Sequence, residues 1–388
     1  MGEKTTSLPT STEEYDSLLR LSEIHRVLPL IFHCLHTSAD ISSENSEFFH
    51  KRVKLLVSQQ TIKTCTFSDV YSRLAEKGLT PIVAKGIICR NLYPQPDFRI
   101  SSDEDLLIPE DEYSLYREAL LSLGFYAANS NTADRYQNSF LRNDGLHIEL
   151  HTALFDTEES FFDKWNALFS ECFENSCTIC AENTRFRTLA PTEHLLYLIL
   201  HAMKHFIHSG VGIRQICDIT VFANSYCSEI DFKKLLSLCK SVNAKKFAMG
   251  IFAIGKNHLN LDEQVSEALQ KHAQFPTDET SLLEDILSAG IFGSSTMSRR
   301  HSSSITFSGA KGKDTSVLRK LFPKAKKLDS RYSYAKKYPV LLPLAWAHRL
   351  ISYKKELKNT DNNSPFESVR IGNKRLDLLK EYGILPTK

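Results

Sequence analysis

Asp103 and Asp105 stand two residues apart at the head of an apolar run, Leu106-Leu107-Ile108. Alternate residues of an extended strand share a face, so this spacing sets both carboxylates on one side. Two unpaired anions that close repel each other; either one keeps its proton or a divalent cation joins them. Mg2+ suits the second outcome, since it takes hard oxygen ligands and is commonly held by one or two carboxylates together with substrate phosphates. An Asp-x-Asp also occurs on solvated strand ends, so its surroundings decide. Downstream, His147, Glu149 and His151 share one face by the same period, and Glu149 offers a third carboxylate. Lys85 and Arg99 lie upstream as cations able to neutralise phosphate charge.

The elements that must position these groups are legible around them. Pro81-Ile82-Val83-Ala84 reads as a short strand, followed by Lys85-Gly86 and a helical run from Ile87 to Tyr93. Pro109-Glu110-Asp111 starts a helix with Tyr113, Tyr116, Leu120 and Leu123 at helical spacing, and Gly124 ends it. Phe125 to Ala127, Tyr136 to Arg142 and Leu146 to His151 read as strands, the last two joined by a tight turn at Asn143-Asp144-Gly145. Ahead of this segment, Ser11 to Glu14 fits a capping box opening a helix through Leu18, Leu28 and Ile31. A second helical run covers about Ser46 to Lys77 and stops at Gly78, and both runs read as scaffold. Phe161 to Cys180 is aromatic-rich and gives no clear period. Leu195 to Phe206 is a strongly apolar helix, Val211 to Ala223 its companion with Arg214 and Asp218 four apart, and further helical patterns follow to Ala289.

Lys85-Gly86, Arg99, Asp103-Glu104-Asp105-Leu-Leu-Ile, the helix ending at Leu123-Gly124-Phe125, and His147-Ile-Glu-Leu-His151 together resemble the DNA polymerase β-type nucleotidyltransferase superfamily. More narrowly they resemble its uncharacterised bacterial nucleotidyltransferases with Lys-Gly, Arg, Asp-x-Asp and acidic-Leu-His motifs. Two positions depart from that pattern. Gly86-Ile87 stands where Gly-Ser is usual, and Glu104, adding negative charge, stands where an apolar residue is usual. The resemblance implies an α+β fold: a small mixed β-sheet nucleotidyltransferase core with helices on one side, flanked by N-terminal and C-terminal helical regions. The implied division is 1–78 helical, 79–185 the α/β core, 190–293 a helical domain and 294–388 a basic C-terminal region.

It also implies a strand bearing Glu149 beside the paired-acid strand, and Mg2+-dependent transfer of an NMP from an NTP to an acceptor hydroxyl or phosphate with release of pyrophosphate. Asp103, Asp105 and Glu149 would be both the catalytic acids and the ligands of a two-metal site, with Mn2+ as a substitute ion. Nucleotide binding would fall to Lys85, Gly86, Arg99, Ser101 and Ser102, joined by Lys204, His205 and Arg214 from a helical half that closes over the triphosphate. The expected partners are an NTP, ATP or another, and an acceptor that is a small molecule, sugar or peptide, with nucleic acid the less favoured choice.

Composition narrows the alternatives. Hydrophobic content of 42% with 24% charged residues fits a globular chain, and a net charge of +2 gives no strong overall pull toward nucleic acid. Charge is uneven: residues 297–358 hold sixteen Lys or Arg against three Asp or Glu. That stretch is a basic face, either solvated or an electrostatic guide for anionic substrates. Residues 294–305 read as a loop or lid, and Pro339 to Tyr353 as a docked helix carrying Trp346 and Arg349. Nine cysteines are an odd number, scattered, and the polar N-terminal stretch has no apolar signal core, which together predict reduced thiols in a cytoplasmic protein. No run reaches the length of a membrane span. Two other function classes stay open at this point: an inactive nucleotide- or nucleic-acid-binding module using the basic region, and a zinc or redox protein using Cys177 and Cys180.

Overall fold

Apolar residues alternate with polar ones along the central strands of a seven-stranded mixed sheet, and that alternation gives the sheet one greasy face and one acidic face. The strands are β1 (Ile82–Val83), β2 (Glu104–Leu107), β3 (Tyr126–Ala127), β4 (Gln137–Leu141), β5 (His147–His151), β6 (Cys177–Ala181) and β7 (Thr184–Thr188), in the order β3-β4-β5-β2-β1-β7-β6. The computed structural model describes residues 11–38, 44–128, 136–208, 210–290, 306–307, 333–348 and 365–385. Residues 294–305, Arg349 and most of the basic stretch read from the sequence lie outside the described residues. The chain divides into two compact units, one of residues 1–202 with 213–277 and one of 203–212 with 278–388.

In the first unit Val83, Leu106, Phe140, Ile148, Leu150 and Phe186 form the apolar face of the sheet. Against them pack Phe67, Val70, Tyr71 and Leu74 of α3 (Glu44–Glu76) and Tyr116, Ala119 and Leu120 of α5 (Tyr113–Ser122), with the short α4 (Ile87–Arg90) lying between them in the chain. The fold is α+β, but helices flank the sheet on both sides rather than on one. The acidic face also needs cover, and α7 (Pro191–His208) gives it: His201 contacts Lys85.

Local chemistry explains the element ends. Gly78 (φ 78°) ends α3 in a Schellman motif, with Leu79 N–H donating to Leu74 O and Gly78 N–H to Ala75 O. Gly124 ends α5 through the same pair of bonds. The first helix expected from the sequence is in fact two, α1 (Thr12–Ile24) and α2 (Leu28–Ser38). The break is another Schellman motif, but its left-handed residue is Arg26 (φ 55°), so no glycine announces it. The β6–β7 hairpin was also unannounced, because its two turn residues with positive φ are Glu182 and Asn183, without a glycine.

The hairpin bears on the cysteines. Cys177 and Cys180 are three apart in β6 and so point to opposite faces, which prevents them from clamping one ion together.

In the second unit the buried Arg375, on the helix Pro365–Glu381, donates to the carbonyls of Phe206 and His208 and lies 3.6 Å from Asp285 of α12 (Thr280–Ala289). A guanidinium there satisfies carbonyls that the end of α7 leaves unpaired.

Gly86 has φ 57° and ψ −114°, a backbone conformation open to glycine alone, and a Cβ there would overlap the Glu104 carboxylate. A Gly86→Ala protein is expected to lose roughly 2–4 kcal/mol of stability, combining backbone strain with overpacking against a buried charge. Urea denaturation checks this, and a loss under 1 kcal/mol would mean that the loop relaxes.

Candidate active site

β2 and β5 run parallel with Asp105 opposite Glu149. Both strands turn their apolar residues, Leu106 on one and Ile148 and Leu150 on the other, to the core, which leaves Asp105, Glu149 and the two histidines on the opposite face. Asp103 precedes β2 at the same end. Ligand atoms of Asp103, His147 and Glu149 lie within 4.8 Å of one another, and so do those of Asp105, Glu149 and His151. Glu149 is thus common to both groups and links the two aspartates. Asp103 and Glu149 are partly exposed, whereas Asp105 is buried.

Buried Asp105 is held by an ammonium and an imidazole. Lys85 Nζ lies 2.9 Å from its Oδ2, and His151 Nε2 lies 3.1 Å from its Oδ1. Burial alone would raise the Asp105 pKa, but Lys85 and His151 outweigh it and hold the carboxyl well below the usual range. The effect is reciprocal at Lys85: burial pulls its pKa down, and Asp105, with smaller help from Tyr197 and Asp103, drives it above the normal lysine value. Lys85 also lies 3.2 Å from His201 Nε2. Glu149 accepts a hydrogen bond of 2.7 Å from Gln137 on the next strand and faces His151 at 3.5 Å.

His151 has its pKa raised, because hydrogen bonds to Asp105 and Glu149 exceed the opposing cost of burial. A group whose folded pKa exceeds its unfolded value stabilises the fold fully at low pH and loses that contribution as pH rises through the folded pKa. The melting temperature of the metal-free protein is therefore expected to fall as pH climbs above about 6.5, the value of a free imidazole, with a flatter fall in His151→Gln. Thermal melts across that range test it; parallel curves would rule out His151 as the source.

The donor set fits a hard divalent cation. Three carboxylates converge from two strands, and His147 Nε2 is buried without a hydrogen-bond partner beside Asp103 and Glu149. If a metal binds, Asp103, Asp105 and Glu149 would hold it, with His147 and His151 as nitrogen donors at its margin.

Glu104 does not add charge to this face. Its side chain turns the other way and accepts hydrogen bonds from Ile87 N–H and the Arg90 guanidinium, each 2.8 Å long. The Gly86 loop thus wraps a carboxylate of its own chain.

Arg99 is buried as well. Its Nε and Nη2 donate to the two oxygens of Asp218, on α8 (Ile213–Ser225), at 3.0 and 2.6 Å, and its Nη1 donates to Ser101 Oγ. Tyr93 adds a third bond to Asp218 at 2.9 Å. Asp218 therefore pairs across the fold and not within its helix, and Arg214 instead donates to the carbonyl of Ile100.

Ser101 N–H is capped by Gln60 of α3 at 2.7 Å, and Ser102 Oγ lies 3.4 Å from Asp103. Asp218, Gln60 and Gln137 thus position the acid-bearing segment and Glu149. Only long-range contact reveals them, since none sits in a motif. Lys204 and His205 are half-buried in the last turns of α7 and belong to the second compact unit.

A family model described as an uncharacterised nucleotidyltransferase matches residues 11–260. No curated protein and no solved structure matches the chain.

Proposed function

This chain belongs to the uncharacterised nucleotidyltransferase family, whose model spans most of its length, and from that premise we propose that it transfers a nucleoside monophosphate from an NTP to an acceptor hydroxyl or phosphate, with Mg2+ as cofactor and Mn2+ as substitute. The observation that carries the reading is the register of β2 and β5, which sets Asp105 opposite Glu149 and brings Asp103 to the same carboxylate. Residues 79–185 act as the catalytic core and 190–293 as the helical half.

In the reaction an acceptor oxygen bonds to the α-phosphorus, the bond from that phosphorus to the bridging oxygen breaks, and pyrophosphate leaves. Glu149, oriented by Gln137, takes the acceptor proton. Asp103 and Asp105, with Glu149 beside them, would hold the metal ions, whose chemistry when bound would be neutralisation of phosphate charge. Lys85 keeps Asp105 ionised and in place. Arg99, through Asp218 and Ser101, fixes the segment leading into Asp103. Gly86, Ser101 and Ser102 shape the loop edge, and Arg214 is the cation assigned to the nucleotide from the helical half.

Pyrophosphate release is the direct test. Each NTP is incubated with Mg2+, the purified chain and pools of sugars, peptides and small hydroxyl compounds, and acceptors are sought as mass increments of one NMP. No release and no increment with any NTP would remove the enzymatic reading.

A further inference from the structure

Three cations converge on the Asp103 end of the sheet from separate elements of the first unit. Arg214 opens α8, and its guanidinium donates to Ile100 O, three residues before Asp103. Its Nε is buried without a hydrogen-bond partner. Lys63 lies on α3 one turn after Gln60, whose side chain caps Ser101 N–H, so Lys63 rises on the helix face that meets this loop. Arg26 follows His25, whose Nδ1 accepts the N–H of Ile213, the residue before Arg214. Neither Arg26 nor Lys63 forms an ion pair with any described residue, and both are half-buried.

Their charges are mutually felt. Burial and then Arg26 lower the Lys63 pKa, against the pull of Glu104 and Asp103. Burial and then Arg99 lower that of Arg214 to about 10, with Arg26 contributing in the same sense. The other cations of the site are already matched: Lys85 with Asp105, Arg90 with Glu104 and Arg99 with Asp218. Asp103 and Glu149, the two carboxylates left at the site, do not balance the remaining three. Arg26, moreover, occupies a left-handed position (φ 55°) that glycine would fill without strain.

We propose that Arg26, Lys63 and Arg214 form the binding site for the polyphosphate tail of the NTP and receive the leaving pyrophosphate, so that the two N-terminal helical runs are part of the active site rather than scaffold. This rests on the nucleotidyltransferase reading. Charge developing on the leaving group needs preorganised cations on its side of the reacting phosphorus, and these three are the unmatched ones there.

Calorimetric titration of the full chain with inorganic tripolyphosphate in Mg2+, alongside an NTP and an NMP, tests it. Lys63→Met and Arg26→Gly are expected to bind tripolyphosphate and NTP roughly tenfold to hundredfold more weakly, with the NMP changed little, and Lys63→Arg to keep wild-type binding. Arg26→Gly separates binding from architecture, because relieving the left-handed residue should raise the melting temperature while affinity falls; a purely structural arginine would not give opposite signs. Wild-type tripolyphosphate affinity in both variants overturns the inference and leaves the transferase reading standing. Loss of NMP binding with tripolyphosphate unaffected would assign the cluster to an acceptor phosphate and also overturns it. A wild-type chain that binds neither tripolyphosphate nor any NTP removes both readings.

Discussion

Replacing Asp103 by alanine is expected to cut nucleotidyl transfer by about a thousandfold or more, since it removes one carboxylate from the metal-binding set and with it several kcal/mol of transition-state stabilisation. The fold should scarcely notice. Asp103 is partly exposed, its one hydrogen bond is a long contact of 3.4 Å with Ser102, and it precedes β2 instead of lying within it. Removing it relieves repulsion with Glu149 but forfeits attraction to Lys63, Lys85 and Arg214, so the opposing effects should leave stability unchanged to within about 1 kcal/mol. Pyrophosphate release and urea denaturation on the same preparation give both numbers. Near-normal turnover in Asp103→Ala would falsify the metal assignment, because Asp105 and Glu149 alone leave the outer edge of the site open.

Asp218→Ala should behave in the opposite way, costing roughly 3–5 kcal/mol of stability before any effect on chemistry is considered. Arg99 and Asp218 are almost wholly buried, and truncating one partner leaves a charge in a dry interior. The loss spreads to Tyr93, whose hydroxyl donates to the same carboxylate, and to Ser101, which shares Arg99. The double replacement Arg99→Met with Asp218→Leu is expected to cost less than Asp218→Ala alone, because no unmatched charge remains. Chemical denaturation of the three proteins gives the comparison. A double variant less stable than Asp218→Ala would show that shape, not charge pairing, dominates there.

These two aspartates show what a sequence can convey. Asp103 belongs to a short motif whose period of two fixes its face, so its neighbourhood could be read from residues alone. The partner strand was legible for the same reason, since His147, Glu149 and His151 repeat the period and Asn143-Asp144-Gly145 marks the turn before it. Asp218 sits on a helix more than a hundred residues away from Arg99, and spacing within its own helix pointed to Arg214, the wrong partner for a contact made across the fold. Glu104 shows the complementary difficulty. It stands between two acids of the site and adds to their charge on paper, yet the pleat that aligns Asp103 and Asp105 sends Glu104 to the other side, where Arg90 awaits it. The missed helix break and the missed hairpin have one cause: their left-handed residues are Arg26, Glu182 and Asn183, so the usual punctuation by glycine is lacking.

The Lys85–Asp105 pair is also the short-range part of the site. β1 and β2 are antiparallel neighbours close in the chain, whereas Glu149 and His151 belong to β5, more than forty residues beyond Asp105. Closing a short stretch of chain costs less entropy than closing a long one. The ammonium–carboxylate pair is therefore less demanding to assemble than the contact that brings the third acid beside it.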